Sequence, residues 1–145
     1  MITVADILRK RTQKVAVTSE DASVVEAAKT MNDRRIGSLV VASGEKVVGI
    51  FTERDILCRV VAEQRDPQVT CVKEVMTSPV ACCHSSTKVA EVRGVMSDKR
   101  IRHMPVVDDG RLIGLISSGD IMASEHRQQQ ETIEYLHEYF IDGTR

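Results

Sequence analysis

The chain contains one sequence pattern twice, and this repeat constrains its fold more strongly than any other feature. In each copy an apolar run ends in a hydroxyl residue, and an aspartate follows three positions later. The pattern occurs at Thr52 with Asp55 and, 65 positions further along, at Ser117 with Asp120. A sequence period of this length indicates one structural unit repeated in tandem, so we predict a fold built from two similar halves.

The size and composition of the chain suit one domain made of those two halves. Its 145 residues lie within the range of single domains, and the apolar fraction of 42% is enough for a packed core. With 20 basic and 21 acidic residues the net charge is −1, and only 3% of the residues are aromatic. Nucleic-acid-binding proteins usually have a basic excess and rings for base stacking, so we expect no nucleic-acid partner.

The sequence predicts a cytoplasmic protein with no membrane partner and no metal. No apolar run approaches the roughly 18 residues of a membrane span, and the first residues lack a signal-peptide pattern. None of the four cysteines forms a C-x-x-C pair, and disulfides are rare in the cytosol. Adjacent Cys82 and Cys83 leave a thiol role open, although alternation along a strand favours two small apolar side chains on opposite faces.

Hydrophobic periodicity predicts the same order of elements in both halves: a short leading helix, then β-α-β-β-α. We expect strands at residues 15–17, 39–41, 47–51, 80–82, 104–107 and 112–116. We expect the leading helices at residues 4–8 and 72–76, the second helix of the first half at 55–63 and a last helix that residues 122–143 extend. The fold class is therefore α/β (α+β), with two β-α-β-β-α units that must pack on each other to bury their apolar faces.

Residues 65–68 separate the two halves, because Pro67 disfavours a helical conformation at Asp66. We assign residues 1–66 to the first repeat, 67–124 to the second and 125–145 to a C-terminal helical extension. The extension carries an apolar stripe, which needs a partner surface from the protein's own core or from another subunit. The stripe consists of Ile133, Leu136 and Phe140.

The tandem arrangement of leading helix, strand, helix, hairpin and G-h-h-[ST]-x-x-D ending resembles the cystathionine-β-synthase (CBS) domain pair, also called a Bateman module. The resemblance covers roughly residues 4–122. It implies two repeats about a pseudo-twofold axis, with sheets facing each other and helices outside. It also implies a stand-alone bacterial signal-transduction protein, a non-catalytic sensor that forms a homodimer and acts on an unknown downstream partner. The ligands that it implies are adenosine-containing molecules (AMP, ATP, NAD(H) or S-adenosylmethionine), which bind in clefts between the repeats.

Two compatible roles are possible for the repeated hydroxyl and carboxylate residues. Thr52 and Ser117 are suited to cap the helices that follow, and Asp55 and Asp120 are suited to the positive ends of those helices. A short carboxylate fixed at such a corner also accepts hydrogen bonds from both hydroxyls of a ribose. We therefore predict ribose-binding roles for these four residues, with the second repeat favoured.

Basic residues before the buried strands are the candidates for binding phosphate. Arg102 and His103 lie where the CBS family places such groups, and His103 titrates close to neutrality unless it is perturbed. The first repeat has Gly37 and Ser38 instead, so the two clefts are not equivalent. Arg35 and Arg54 are the substitutes there. Neighbouring Arg34 is interpreted as solvated surface charge.

The remaining candidates are small or apolar side chains that would line an adenine pocket. They are Met104, Pro105, Ile36, Gly37, Ser38 and Val80. Two alternatives to a ligand sensor stay open. One is a structural dimerisation module whose clefts no longer bind ligands, and the other is a thiol-based enzyme at Cys82 and Cys83. The sequence has no P-loop, dinucleotide-binding glycine motif or catalytic signature that favours an enzyme.

Overall fold

The chain folds into two halves with the same order of elements, as the repeat predicts. The computed structural model describes the backbone of residues 1–142 and the side chains of residues 1–138. The helices are α1 (Val4–Leu8), α2 (Val24–Arg34), α3 (Glu53–Asp55) with a π-helical continuation (Ile56–Val61), α4 (Val72–Val75), α5 (Val89–Lys99) and α6 (Ser118–Asp142). The strands are β1 (Val17–Ser19), β2 (Ser38–Ser43), β3 (Lys46–Thr52), β4 (His103–Asp108) and β5 (Arg111–Ser117).

Local geometry repeats between the halves, which are related by a pseudo-twofold axis. Strand β1 pairs in parallel with β2, and β2 pairs antiparallel with β3, while β4 and β5 form the corresponding hairpin of the second half. Helices α2 and α5 both end at an arginine in the left-handed conformation, Arg35 at φ 53° and Arg100 at φ 54°. Both hairpins also contain a register shift at equivalent positions. The predicted α/β fold of two facing units is therefore confirmed.

Each leading helix packs into the core of the opposite half. Val4 and Ile7 of α1 are buried in the second core, beside Val89, Val92 and Ile116. Helix α4 contributes its two buried valines to the first core in the same way. The connecting segments, residues 9–16 and 76–82, therefore cross between the halves and follow their interface.

Three predicted elements differ from the structure. The strand predicted at residues 15–17 lies two positions later, at Val17–Ser19. The strand predicted at 80–82 is reduced to a single parallel bridge between Cys83 and Val106. In the first half the N–H of Val40 donates to the carbonyl of Ala16 at 3.1 Å, whereas Pro105 at the equivalent position has no N–H to donate. The helix predicted from residue 55 begins at Glu53 and continues as a π-helix.

The C-terminal part of α6 extends beyond the packed body of the protein. Ile133 and Leu136 remain 60% and 44% exposed, and the side chain of Phe140, the third member of the predicted stripe, lies outside the described residues. Within residues 1–142, no helix is both long and apolar enough to cross a membrane.

Candidate functional site

A cavity of about 490 Å³ lies between the two halves, along the first connecting segment. Residues 10–16 of that segment form one wall. The loop before β2 contributes Ile36 and Gly37, and the first residue of β2 contributes Ser38. The second half contributes His103, Leu115, Ser117 and Asp120. The cavity therefore brings together six of the residues that the sequence singled out.

Asp120 is fixed in this cavity by the turn that begins α6. Its Oδ2 accepts a hydrogen bond from the backbone N–H of Ser117 at 2.7 Å, and its own N–H donates to the Ser117 hydroxyl at 3.1 Å. Arg11 forms an ion pair with the same Oδ2, and its guanidinium also donates to the carbonyl of Leu115. The backbone N–H of Ser117 and the guanidinium of Arg11 both contact Oδ2, and Asp120 lines the cavity, so its carboxylate lies where a ligand can reach it.

The surroundings of Asp120 keep its carboxylate ionised. Partial burial raises the pKa of this carboxyl, but the hydrogen bond from the backbone of Ser117 and the guanidinium of Arg11 outweigh that effect. The pKa of Asp120 consequently lies below its ordinary value. An ionised carboxylate accepts hydrogen bonds only, which suits ligand hydroxyls.

His103 also lines the cavity, and burial is the main influence on its titration. Burial lowers the pKa of the imidazole, and Arg102 lowers it further, while the carboxylates of Asp120 and Glu53 act in the opposite direction. The net shift is downward, so His103 is mainly neutral at pH 7. Sequence reasoning alone had placed its titration near neutrality.

The other predicted residues of the second repeat lie outside the cavity. Arg102 lines a separate depression between α5 and α6, and Met104 is buried in the second core with an exposed fraction of 2%. Neighbouring side chains of a strand point to opposite faces, so the strand directs His103 to the cavity and Met104 to the core. Pro105 is likewise buried, and half-buried Val80 lies on the second connecting segment.

In the first repeat the equivalent carboxylate is already occupied by the protein. Asp55 is only 5% exposed, and its Oδ2 accepts hydrogen bonds from the N–H and the hydroxyl of Thr52 at 2.9 and 3.2 Å. Its Oδ1 accepts from the hydroxyl of Thr77 at 3.1 Å, and Arg59 approaches the same atom at 3.9 Å. Both carboxylate oxygens therefore have protein partners. The predicted substitutes Arg35 and Arg54 are exposed and do not line the cavity at Asp120.

The second connecting segment covers Asp55 because it is held against β3. Thr77 and Ile50 exchange two backbone hydrogen bonds, of 2.8 and 3.0 Å. Gly49 makes this approach possible, because a Cβ at that position would lie 2.6 Å from the sulfur of Met76 and 2.9 Å from the carbonyl oxygen of Thr77. At the equivalent Gly114 a Cβ would meet only the flexible end of a leucine side chain.

The lengths of the two connecting segments explain why one cleft is open and the other is covered. Fourteen positions separate Val4 in α1 from Thr18, which pairs with Val41 in the first sheet. Only eleven positions separate Val72 in α4 from Cys83 at the equivalent bridge. The shorter segment runs close to β3, whereas the longer one leaves space beside Asp120.

Sequence reasoning missed three basic side chains of the cavity wall and interpreted the fourth, that of Arg34, as surface charge. Lys10, Arg11, Lys14 and Arg34 all line the cavity, and Arg34 donates from Nη2 to the carbonyl of Lys14 at 2.7 Å. The run of basic residues between positions 9 and 14 is visible in the sequence. Its location in the cleft depends on the packing of α1 in the core of the opposite half.

The environment of Cys82 and Cys83 disfavours a thiol role. Cys83 is buried in the second core, where burial raises the pKa of its thiol to about 11, and burial also raises the pKa of Cys82. Both thiols are therefore protonated at neutral pH, which disfavours the thiol-based alternative. No group of three or more metal-ligating side chains occurs in the part of the chain that the structure describes.

Comparison with known proteins identifies the repeated unit. Residues 4–62 and residues 72–127 each match the protein family described as the CBS domain. The chain belongs to the CBS-domain family. Its two halves form a CBS pair, and CBS pairs are as a class regulatory and signal-transduction modules.

Three relatives show the extent of the similarity. The mitochondrial CBS-domain protein CBSX3 of Arabidopsis thaliana is 34% identical over 128 residues, which are 85% of this chain and 62% of the plant protein, less than two thirds of its length. The solved structure of a Burkholderia ambifaria protein with CBS domains has a TM-score of 0.80 and 38% sequence identity to this chain. The match covers 85% of this chain and 93% of the Burkholderia chain, whose name assigns it to signal transduction. The CBS domain pair of MJ0100, solved with 5′-methylthioadenosine and S-adenosyl-L-methionine, has a TM-score of 0.78 and 30% identity, covering 88% and 98% of the two chains.

Proposed function

We propose that this CBS pair is a sensor that binds an adenosine-containing ligand (AMP, ATP or NAD(H)) in the cleft at Asp120. The observation that carries the proposal is the ionised carboxylate of Asp120, which is fixed at a helix start in a residue that lines a cavity between the repeats. Adenosine ligands bound to the related MJ0100 pair support the same ligand class.

Each proposed contact follows from the residues that line the cleft. Asp120 accepts from the ribose hydroxyls, and the Ser117 hydroxyl contributes a further polar contact. Ile36, Gly37 and Ser38 form a small wall for the adenine ring, and His103 lies close to a bound phosphate. Thr52 and Asp55 bind a second ligand only if the segment at residue 77 moves away.

The crossing of the first connecting segment offers a route from binding to signalling. Helix α1 is anchored in the second core, while the segment continues into β1 of the first sheet. A ligand that contacts residues 10–16 therefore contacts a segment that joins both repeats. The ligand shifts the equilibrium between two arrangements of the repeats only if it binds one of them more tightly. A downstream protein then responds to that shift.

A thermal-shift comparison of AMP, ATP, NADH and S-adenosylmethionine tests the proposed function, with cytidine triphosphate as a control for the base. A ligand at 100 times its dissociation constant is expected to add about 2.7 kcal/mol to the free energy of unfolding. The sensor predicts stabilisation by at least one adenosine ligand and none by the cytidine nucleotide. A flat response to all four adenosine ligands would favour the structural dimerisation module instead.

The same protein is proposed to form a homodimer of paired modules. Leu57 and Met122 occupy equivalent positions on the two repeats and are 63% and 68% exposed, and Val61, one helical turn after Leu57, is 62% exposed. Exposed apolar side chains at equivalent positions of both repeats favour an interface between subunits. Light scattering is expected to give the dimer mass, and a Leu57→Asp, Met122→Asp double variant is expected to give the monomer mass. A wild-type monomer at micromolar concentration would contradict the proposal.

A further inference from the structure

Arg59 joins the first repeat to the segment that covers Asp55. Its Nη1 donates to the backbone carbonyl of Met76 at 2.7 Å and to that of Val75 at 3.3 Å. Its Nε lies 3.9 Å from Oδ1 of Asp55, the same oxygen that accepts a hydrogen bond from the Thr77 hydroxyl. The guanidinium therefore contacts both the covering segment and the carboxylate that the segment covers.

The contacts of Arg59 lie where the chain leaves α4 and enters the second connecting segment. The last carbonyls of a helix have no donor within the helix, and a positive charge is favoured at that end. A guanidinium has five N–H donors in one plane, so a single arginine can serve several acceptors at once. Arg59 thus fixes the backbone immediately before Thr77, whose N–H and carbonyl pair with Ile50 of β3.

The second repeat has a different residue at the equivalent position. The offset of 65 positions places Ser124 of α6 opposite Arg59. Ser124 is buried, with an exposed fraction of 5%, and a serine has no charge and a single donor. The arginine is therefore present in the repeat whose cleft is covered and replaced in the repeat whose cleft is open.

We infer that Arg59 is a latch that holds the second connecting segment over Asp55 and keeps this cleft closed in the ligand-free protein. The short length of the segment brings it close to β3, and Arg59 fixes it there. The Arg59 side chain is 51% exposed, so its contacts can break by a local opening that leaves the core folded. The inference rests on the proposed function for the ligand that the opened cleft would take.

Hydrogen exchange of the ligand-free protein tests the latch without any ligand. Arg59→Ser introduces the side chain that the open repeat has at this position. The amides of Thr77 and Ile50 are expected to exchange at least about tenfold faster in this variant, which corresponds to the loss of one hydrogen bond to a charged group. Arg59→Lys keeps the charge with fewer donors and is expected to give an intermediate rate. Arg127→Ser, which removes an exposed arginine from α6, is the control and is expected to change neither amide.

A calorimetric titration with ATP then tests what the latch controls. Arg59→Ser is expected to raise the number of ATP molecules bound per chain from one to two, whereas a loss of stability alone would not add a site. Unchanged exchange of the Thr77 amide in Arg59→Ser would overturn the latch, and so would faster exchange that is equal throughout both cores. Faster exchange with only one ATP site would show that the latch closes no ligand site. If no adenosine ligand binds to the wild-type protein, the proposed function fails, and the exchange rates alone decide whether Arg59 holds the segment.

Discussion

Replacement of Asp120 by alanine is expected to weaken ATP binding by more than about tenfold, because a hydrogen bond to a charged group contributes about 1.5–3 kcal/mol. The substitution removes the carboxylate of a residue that lines the cavity. It also removes the cap of α6 and the partner of Arg11, so a stability loss of about 1 kcal/mol is expected as well. Isothermal titration calorimetry measures the affinity, and urea unfolding measures the stability.

Asp120→Asn is the control for this prediction. Asparagine keeps the shape of the side chain and one oxygen acceptor but removes the charge, so its affinity for ATP is expected to lie between those of the wild type and Asp120→Ala. Unchanged ATP binding in both variants would show that Asp120 is only a helix cap.

Replacement of Asp55 by alanine is expected to have the opposite result, a large loss of stability with little change in ATP affinity. The carboxylate of Asp55 is buried and accepts hydrogen bonds from Thr52 and Thr77. Its removal leaves those partly buried donors unpaired, which costs about 2–4 kcal/mol of the free energy of unfolding. Urea unfolding of the Asp55 and Asp120 variants, side by side, measures the difference.

Asp55 and Asp120 occupy equivalent positions in the two repeats, so a difference between their variants distinguishes the two clefts. Both residues follow a hydroxyl residue by three positions, and both serve as the third residue of a capping turn. A sequence comparison therefore treats them as equivalent. A neutral effect of Asp55→Ala on unfolding, together with a loss of ATP binding, would show that the covered cleft is the functional one.

The parts of the fold that depend on local interactions were predictable from the sequence. The capping pair of Ser23 and Glu26 can be identified from four consecutive residues of the sequence. In the structure the hydroxyl of Ser23 accepts from the backbone N–H of Glu26 at 3.1 Å. The hairpin turn at Asp109 and Gly110 was predicted in the same way, and both residues have the positive φ values that such a turn requires. The repeat itself follows from a constant offset of 65 positions.

The parts that depend on distant contacts were not predictable. A division at residue 66 assigns each leading helix to the half in which it lies along the chain, and only the packing of Val4 and Val72 shows the exchange. Because that exchange brings the basic segment to the cleft, Lys14 was missed, Arg34 was interpreted as surface charge and Arg102 was favoured instead. The cover over Asp55 depends on a connecting segment three positions shorter than its counterpart, which a comparison of motifs does not detect.

The most direct test of the account is the number of ATP molecules that each wild-type chain binds in a calorimetric titration. We predict one site per chain, because the cleft at Asp120 is open and the carboxylate at Asp55 is covered by Thr77. That site is expected to be lost in Asp120→Ala and retained in Asp55→Ala. Two equivalent sites per chain, or one site that survives in Asp120→Ala, would contradict the account.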